Sequence, residues 1–262
     1  VQTIAVLNQK GGVGKTTTAL NLSASITRKN LSATLIDLDS QGHLTKVFES
    51  YPEDVSKTIF GFYSDKTPLQ KLLIDWQNIG KFIPSHQELI KVETKYGNGP
   101  EILFKLGNGL KTFNAHAPQD FIVLDCPANT GVLCLSAIFA ADLVIIPIAS
   151  DHFSLAGAKR IEFVLGALER VLKRRVSRCY LTTRFDKRRK ISSETYQEAQ
   201  QKFGDELLDT IIYENVALTN SVKNHQDIFT FDSKSTGAKN YGELLEELIQ
   251  NKWLEVTEKL SL

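Results

Sequence analysis

Asn8-Gln9-Lys10-Gly11-Gly12-Val13-Gly14-Lys15-Thr16-Thr17 is the stretch from which the rest of the 262-residue chain can be read. Before it, Ile4-Ala5-Val6-Leu7 is a short apolar run of the kind that forms a buried strand. After it, Ala19, Leu20, Leu22, Ala24 and Ile26 recur at near-helical spacing. The glycines therefore fall at a strand-to-helix turn. Glycine lets the backbone take left-handed conformations and close its N–H groups around an anion, and the following helix aims the positive end of its dipole at the same place. Polyphosphate is the guest such a cradle fits.

In the general phosphate-binding loop, a lysine at the position of Lys15 reaches the β- and γ-phosphates, the next hydroxyl (Thr16) ligates Mg²⁺, and Thr17 touches the α-phosphate. The strict pattern begins with glycine at position 9, where this chain has Gln9. Lys10 to Thr17 instead resembles the deviant Walker A box of the ParA/MinD ATPases, in which a signature lysine precedes the glycines. Lys10 holds that place. The resemblance implies that Gly11, Gly12, Val13 and Gly14 surround the nucleotide. It also implies an ATP-dependent homodimer in which Lys10 reaches the nucleotide of the second subunit.

Ala33-Thr34-Leu35-Ile36 reads as a second buried strand, ending in Asp37-Leu38-Asp39-Ser40-Gln41-Gly42. Alternation places Asp37 and Asp39 on one side, and residues just past strand ends line the crevice of an open parallel sheet, so both carboxylates can face the phosphates. Asp37 alone is also compatible with a strand that ends in polar turn residues. The segment resembles the family's D-x-D-P-Q-G motif with Ser40 for proline. By that resemblance Asp39 positions the attacking water and supports Mg²⁺. Asp120-Phe121-Ile122-Val123-Leu124-Asp125 has the shape of a Walker B strand, and Asp125 is expected to hold Mg²⁺ through water.

Further strands are expected at Phe82-Ile83-Pro84-Ser85, Leu143 to Ile148 and Cys179 to Thr183, with a long amphipathic helix from about Leu155 to Arg174. That helix carries Ile161, Val164, Leu165, Leu168, Val171 and Leu172 on one face. Residues 43 to 118 are the least legible. Apolar spacing suggests helices over Val55 to Phe62 and Leu69 to Leu73 and from His86, with a turn cluster at Tyr96 to Pro100. Gly107 and Gly109 weaken the helical run that follows. Arg184-Phe185-Asp186 resembles the family's adenine-bordering loop, and Ile211 to Asn215 its I-P-R-N loop with Tyr213 and Glu214 substituted. Arg184, Asp186 and Asn215 are accordingly expected near the base. A helix with Tyr241, Leu244, Leu245, Leu248 and Ile249 closes the pattern.

The expected fold is α/β, a P-loop NTPase with a doubly wound, largely parallel twisted sheet and helices on both faces, as one domain over residues 1–262. The form expected is the short one, without an amino-terminal helix-turn-helix. Composition agrees with a globular chain, 42% apolar and 23% charged. No run of about 18 apolar residues occurs, and Val1 to Leu7 lacks the pattern of a signal peptide, so a cytoplasmic protein is expected, and the resemblance implies that it is nucleoid-associated. Cys126, Cys134 and Cys179 have no C-x-x-C spacing and read as structural thiols rather than a metal or cluster site.

Net charge is only +1, but residues 170 to 190 hold ten basic side chains against Asp186 alone, which leaves the remainder at −8. Arg170, Lys173 and Arg174, with Lys159, fall opposite the apolar stripe of the long helix. Together with Arg188 and Arg189 they are the candidate contacts to nonspecific DNA, a solvated helix face being the alternative. The resemblance implies a partition ATPase that positions DNA with a ParB-like adaptor, or the same mechanism moving another cargo such as a carboxysome or chemoreceptor cluster. A MinD-like membrane ATPase fits poorly: residues 242 to 262 carry five Glu and two Lys, where a membrane-binding helix needs an excess of cations.

Overall fold

The computed structural model describes residues 1–49, 52–96 and 99–256. The centre of the expected turn cluster, Gly97-Asn98, and the tail residues Glu258 and Lys259 lie outside the described residues. In chain order, β1 (Gln2–Val6), α1 (Lys15–Arg28), β2 (Ala33–Asp37), α2 (His43–Val47) and α3 (Ile59–Ser64) are followed by β3 (Ile74–Trp76), β4 (Gly80–Ile83) and α4 (Glu101–His116). Then come β5 (Phe121–Asp125), α5 (Val132–Ala140), β6 (Leu143–Ala149), α6 (His152–Leu172), β7 (Arg178–Phe185) and α7 (Lys190–Phe203). The last elements are β8 (Leu207–Tyr213), α8 (Val216–Lys223), α9 (Ile228–Asp232) and α10 (Thr236–Gln250).

All eight strands join one sheet in the order β3-β4-β2-β5-β1-β6-β7-β8. Every neighbouring pair is parallel except β3 with β4. Both faces are covered, and side-chain alternation sorts the two cores. Ala5, Leu7, Ile36, Leu124 and Ile146 pack toward α3 to α7, whereas Ile4, Val6, Leu35, Val123 and Ile145 pack toward α1 and α8 to α10. The expected doubly wound α/β architecture is observed. β1 has β5 on one side and β6 on the other, so the chain changes direction across the sheet beside the glycine turn, and a crevice opens there at the strands' carboxyl ends.

The middle of the chain departs from the apolar spacing. Residues 55–57, 69–71 and 87–89 form single 3₁₀ turns rather than helices, α3 is short, and 92–96 form one π turn. β3, which the sequence reading omits, pairs antiparallel with β4 at the sheet edge. The run containing Gly107 and Gly109 is helical after all. Both glycines let α4 approach its neighbours, Gly107 against Ala140 and Gly109 against the Phe62 ring. At the opposite edge β8 bulges against β7, and the Asp209 and Thr210 amides donate to the Glu247 carboxylate of α10 at 2.7 and 2.8 Å.

α6 ends at Leu172, with Lys173 in a left-handed cap, and Val171 is exposed rather than on the buried face. Two helical glycines separate propensity from packing. A Cβ on Gly61 would overlap the Ser56 carbonyl, whereas one on Gly166 in α6 meets nothing within 4 Å. Gly61→Ala should lower stability by about 1–3 kcal/mol and Gly166→Ala should raise it by about 0.5–1 kcal/mol. Chemical denaturation of both variants checks the pair, and equal signs would contradict the packing described.

Candidate nucleotide site

The glycine turn takes its shape from two left-handed residues, Gly12 at φ +76° and Gly14 at φ +89°, the latter serving as the cap residue of α1. A side chain would be strained at either position. With no side-chain cap on α1, its first amides are left for an anion. Two contacts from the end of β7 hold the turn from outside. The Thr183 hydroxyl donates to the Val13 carbonyl at 2.8 Å, and the Arg184 guanidinium donates to the Gly12 carbonyl at 3.0 Å and pairs with Glu214 at 3.2 Å. From the sequence Thr183 is legible only as part of a strand, although a position at a strand's carboxyl end is itself a signal for the crevice.

A cavity of about 780 Å³ opens over this turn. It is lined by Gly11, Gly12, Gly14, Lys15, Thr16 and Thr17, by Asp39 after β2, and by Arg184 and Asn215 on the far side. Asn215 caps α8 by accepting from the Ala217 amide at 2.8 Å. His43, Lys46 and Tyr241 also line the cavity and were not anticipated there. His43 and Lys46 follow the D-x-D segment by only one turn of helix. Tyr241 sat within an apolar repeat, where its hydroxyl, 3.2 Å from that of Thr18, gave no signal.

Four expected members do not line the cavity: Val13 and Asp125 are buried, and Asp186 and Lys10 are turned to other partners. Asp186 lies outside the cavity because it turns to its own loop, accepting from the Arg188 backbone and guanidinium, and those bonds hold its carboxyl down at about 2. Lys10 does not line the cavity. Its ammonium bonds Asp151 at 2.6 Å and lies 5.7 Å from the Phe153 ring centroid. Partial burial pushes the Asp151 carboxyl up, but its bonds from Lys10 and Ser154 outweigh this and leave it low.

The electrostatics concentrate on three carboxylates and one lysine. Lys15 is buried and folds its ammonium onto the Lys10 carbonyl at 3.1 Å; burial pulls its pKa down against the attraction of Asp125 and Asp39. Asp37 and Asp125 face each other in the β2–β5 register, both fully buried. Burial raises Asp37 to about 7, although the Thr45 hydroxyl and amide and the Asp39 amide all donate to it. Asp37 is thus a packed support for the loop and does not line the cavity. Burial first, and then the Asp37 charge, also raise Asp125 well above the ordinary carboxylate range, opposed by Thr16 and Lys15. Both Asp125 oxygens are buried without a hydrogen-bond partner.

Those oxygens next to Thr16 are what a hard cation would satisfy. Among the described residues no group of three or more His, Cys, Asp or Glu forms a metal cage. That suits Mg²⁺, which is typically held by one or two protein oxygens, water and substrate phosphate. All three cysteines are buried and free, and burial raises their thiols, as expected for structural residues.

The basic segment divides in space. Arg170 to Arg175 precede β7 and Lys187 to Lys190 follow it, so the two groups are separated by the strand's length, about 25 Å. Arg178 is buried against Glu169 and Glu206, Arg175 pairs with Glu206, and Lys159 pairs with Glu198 at 2.6 Å instead of facing solvent alone. Arg170, Lys173 and Arg174 are exposed, and Arg188 and Arg189 are exposed beside Asp186.

A family model described as an AAA domain matches residues 1–177. The chromosome partitioning protein ParA of Myxococcus xanthus is 30% identical over 249 residues, covering 94% of this chain and 87% of that one. The chain belongs to the ParA/Soj family of P-loop ATPases. The sporulation initiation inhibitor Soj of Bacillus subtilis is 28% identical, covering 95% and 98% of the two chains. Among solved ParA-like structures, a plasmid partition protein of Borrelia burgdorferi bound to AMPPNP superposes with a TM-score of 0.81. It is 25% identical and covers 95% of this chain and 99% of that one. No described helix is long and apolar enough to cross a membrane.

The buried pair Asp37 and Asp125 has a pH signature. A carboxyl whose folded pKa is raised favours the folded state while protonated, so its contribution is present below the unfolded value near 4 and is lost as pH rises through the folded value, about 7 for Asp37. Asp125→Asn removes one of the two charges and should stabilise the nucleotide-free protein at pH 8 by about 1–3 kcal/mol, with little gain at pH 4. Thermal denaturation at both pH values checks this; a lower Tm at pH 8 would contradict the unpartnered geometry of Asp125.

Proposed function

We propose that the chain is an ATP-hydrolysing partition protein that binds ATP with Mg²⁺, dimerises with nucleotide bound, and moves DNA cargo over nonspecific DNA with a ParB-like adaptor. The observation that carries the reading is the convergence of Lys15, Thr16, Asp39 and the unpartnered Asp125 at one crevice of a ParA-family sheet. Lys15 would hold the β- and γ-phosphates within the cradle of Gly11 to Gly14, and Thr17 the α-phosphate. Thr16 and Asp125 would hold Mg²⁺, with Asp39 in support. The ion would neutralise charge on the phosphate oxygens. Asp39, facing the cavity next to the phosphate cradle, would orient the attacking water. Arg184 and Asn215 would border the base.

Phosphoryl transfer depends on positioning and charge stabilisation, and Arg184, committed to Gly12 and Glu214, is not aimed as an arginine finger. Hydrolysis without a partner should accordingly be slow. Lys10 would leave Asp151 to reach the nucleotide of the second subunit, where a second cation is worth most once water is excluded. Lys15→Ala should abolish ATP binding, and Lys10→Ala should bind ATP but remain monomeric by sizing with a nonhydrolysable analogue. Asp39→Ala should bind ATP and lose hydrolysis about a hundredfold or more. Hydrolysis by Asp39→Ala at the parent rate removes its proposed role.

DNA contact is assigned to the basic group at the nucleotide end, Arg188 and Arg189 with Lys187 and Lys190, because nucleotide-driven dimerisation brings two copies of that end together. Arg170, Lys173 and Arg174, at the other end, would add long-range attraction. No base-reading element accompanies these cations, so backbone phosphates are the expected contacts. With roughly six phosphates neutralised per dimer, log K should fall against log salt with a slope of about −5. Arg188→Glu with Arg189→Glu should abolish ATP-dependent DNA binding while dimerisation persists. Unchanged affinity, or a slope near zero for the parent chain, would remove DNA from the reading.

A further inference from the structure

α6 presents to solvent a face that lies outside the nucleotide cavity and shares with the DNA reading only the cations at its far end, Arg170, Lys173 and Arg174. Its exposed positions are two phenylalanines, one valine, two alanines, one histidine and two arginines. Phe153, Phe163 and Val171 are 78%, 80% and 70% exposed. Phe153 and Val171 are about five helical turns apart and share one azimuth, so the stripe runs about 27 Å along the helix. Ala156 and Ala167 fall between the large side chains at spacings of three and four, the large-small alternation by which helices interdigitate.

The charges on this helix are sorted by face. Glu162 pairs with Lys202 and Glu169 with Arg178, both on the sides turned to the protein, and Lys159 pairs with Glu198 of α7. The exposed arc itself carries Arg160 and Arg170 and no carboxylate, and Lys173 and Arg174 extend it. Such a face is complementary to an apolar surface edged with carboxylates. Arg160 stands between Phe153 and Phe163, in the middle of the arc. A bilayer would have to cover that guanidinium with hydrocarbon, whereas an acidic side chain can meet it. A second copy of α6 packed symmetrically would bring arginine against arginine. DNA would satisfy the arginines but leave the phenylalanines against phosphate.

We infer that the outer face of α6 is a docking surface for an acidic amphipathic helix of another protein, seated by Phe153 and Phe163 around Ala156 and Ala167 and oriented by Arg160 and Arg170. The surface lies outside the nucleotide cavity and meets the proposed site only where Phe153 lies beside Lys10, so Phe163, about three turns further along, is the position that separates the two readings. Hydrophobic anchors and cations serve different parts of the contact: the anchors set the dissociation rate, and the cations steer encounter and select sign.

The probe is a labelled synthetic helix with leucine at its two seam positions and glutamate flanking them, titrated into the full chain by fluorescence anisotropy. A twin peptide with lysine replacing glutamate, anionic phosphatidylglycerol vesicles and a short DNA duplex are run beside it. The glutamate peptide should bind, and the lysine peptide should not. Phe163→Ser should weaken the glutamate peptide tenfold or more, Arg160→Gln severalfold, and Ala167→Glu should abolish binding. ATP hydrolysis and DNA affinity of Phe163→Ser should stay within twofold of the parent. Hydrogen exchange at residues 156–167 should slow on peptide addition. No binding, equal binding of both peptides, or unchanged binding by Phe163→Ser overturns the proposal. So does vesicle binding lost in Phe163→Ser, which assigns the face to lipid, or a dimer lost in that variant, which assigns it to a second copy.

Discussion

The position of the phosphate cradle depends on the Asn8 side chain. Its amide donates to the Pro147 carbonyl at 2.7 Å at the end of β6, while its oxygen accepts the Lys10 amide at 3.0 Å. One buried side chain therefore satisfies the backbone of a strand that the chain reaches only after 139 further residues, and fixes the first bend of the turn. α6 can approach because Gly157 has no side chain there; a Cβ would overlap the Asn8 oxygen. A buried amide this fully used is costly to replace, since removing it leaves donors and acceptors unpaired in a low-dielectric site.

Around that fixed point the site is assembled under electrostatic tension. Two buried carboxylates in register, a buried lysine that rests on a carbonyl, and a third carboxylate at the cavity wall cannot all be comfortable in the free protein. The tension is of the kind that a cation and a polyphosphate relieve together, because each supplies the charge the other part of the site lacks. Affinity for the pair is thereby linked to stability of the fold around them.

What the sequence reveals of this arrangement follows from where the physics is local. Gly12, Gly14 and Lys15 announce themselves because a left-handed turn ahead of a helix admits few residues, and the strands from Ile4, Leu35 and Val123 are continuous apolar runs as burial on both faces requires. Apart from the legible strand β4, residues 55–96 are opaque because side chains such as Phe60, Leu69, Leu89 and Val92 join the core that includes α4 from short single turns and not at any regular period. The glycines of α4 speak against a helix until the Phe62 ring and Ala140 are in place. Charge reads worst of all. Ten cations counted along one segment become two separated groups, a buried Arg178 held by carboxylates and, in Arg184, a brace of the glycine turn, since a strand carries the chain across the molecule between the groups. Asp186 illustrates the same limit: its motif position points to the base, but two arginines two and three residues on claim it first.

The bulged edge strand β8 bears on how this molecule can associate. An open sheet ends in strands whose free amides invite another chain to pair with them, the route by which many β-containing proteins polymerise. Here Glu247 occupies the Asp209 and Thr210 amides, and Asn240 accepts from the Tyr213 amide at 3.3 Å, so one helix closes that edge with side chains. The opposite edge is a three-residue strand with Asp75 at its centre, too short to template a ladder. Backbone pairing, the mode of association that does not readily reverse, is thus hindered at both edges, and any contact with another chain is left to side-chain surfaces.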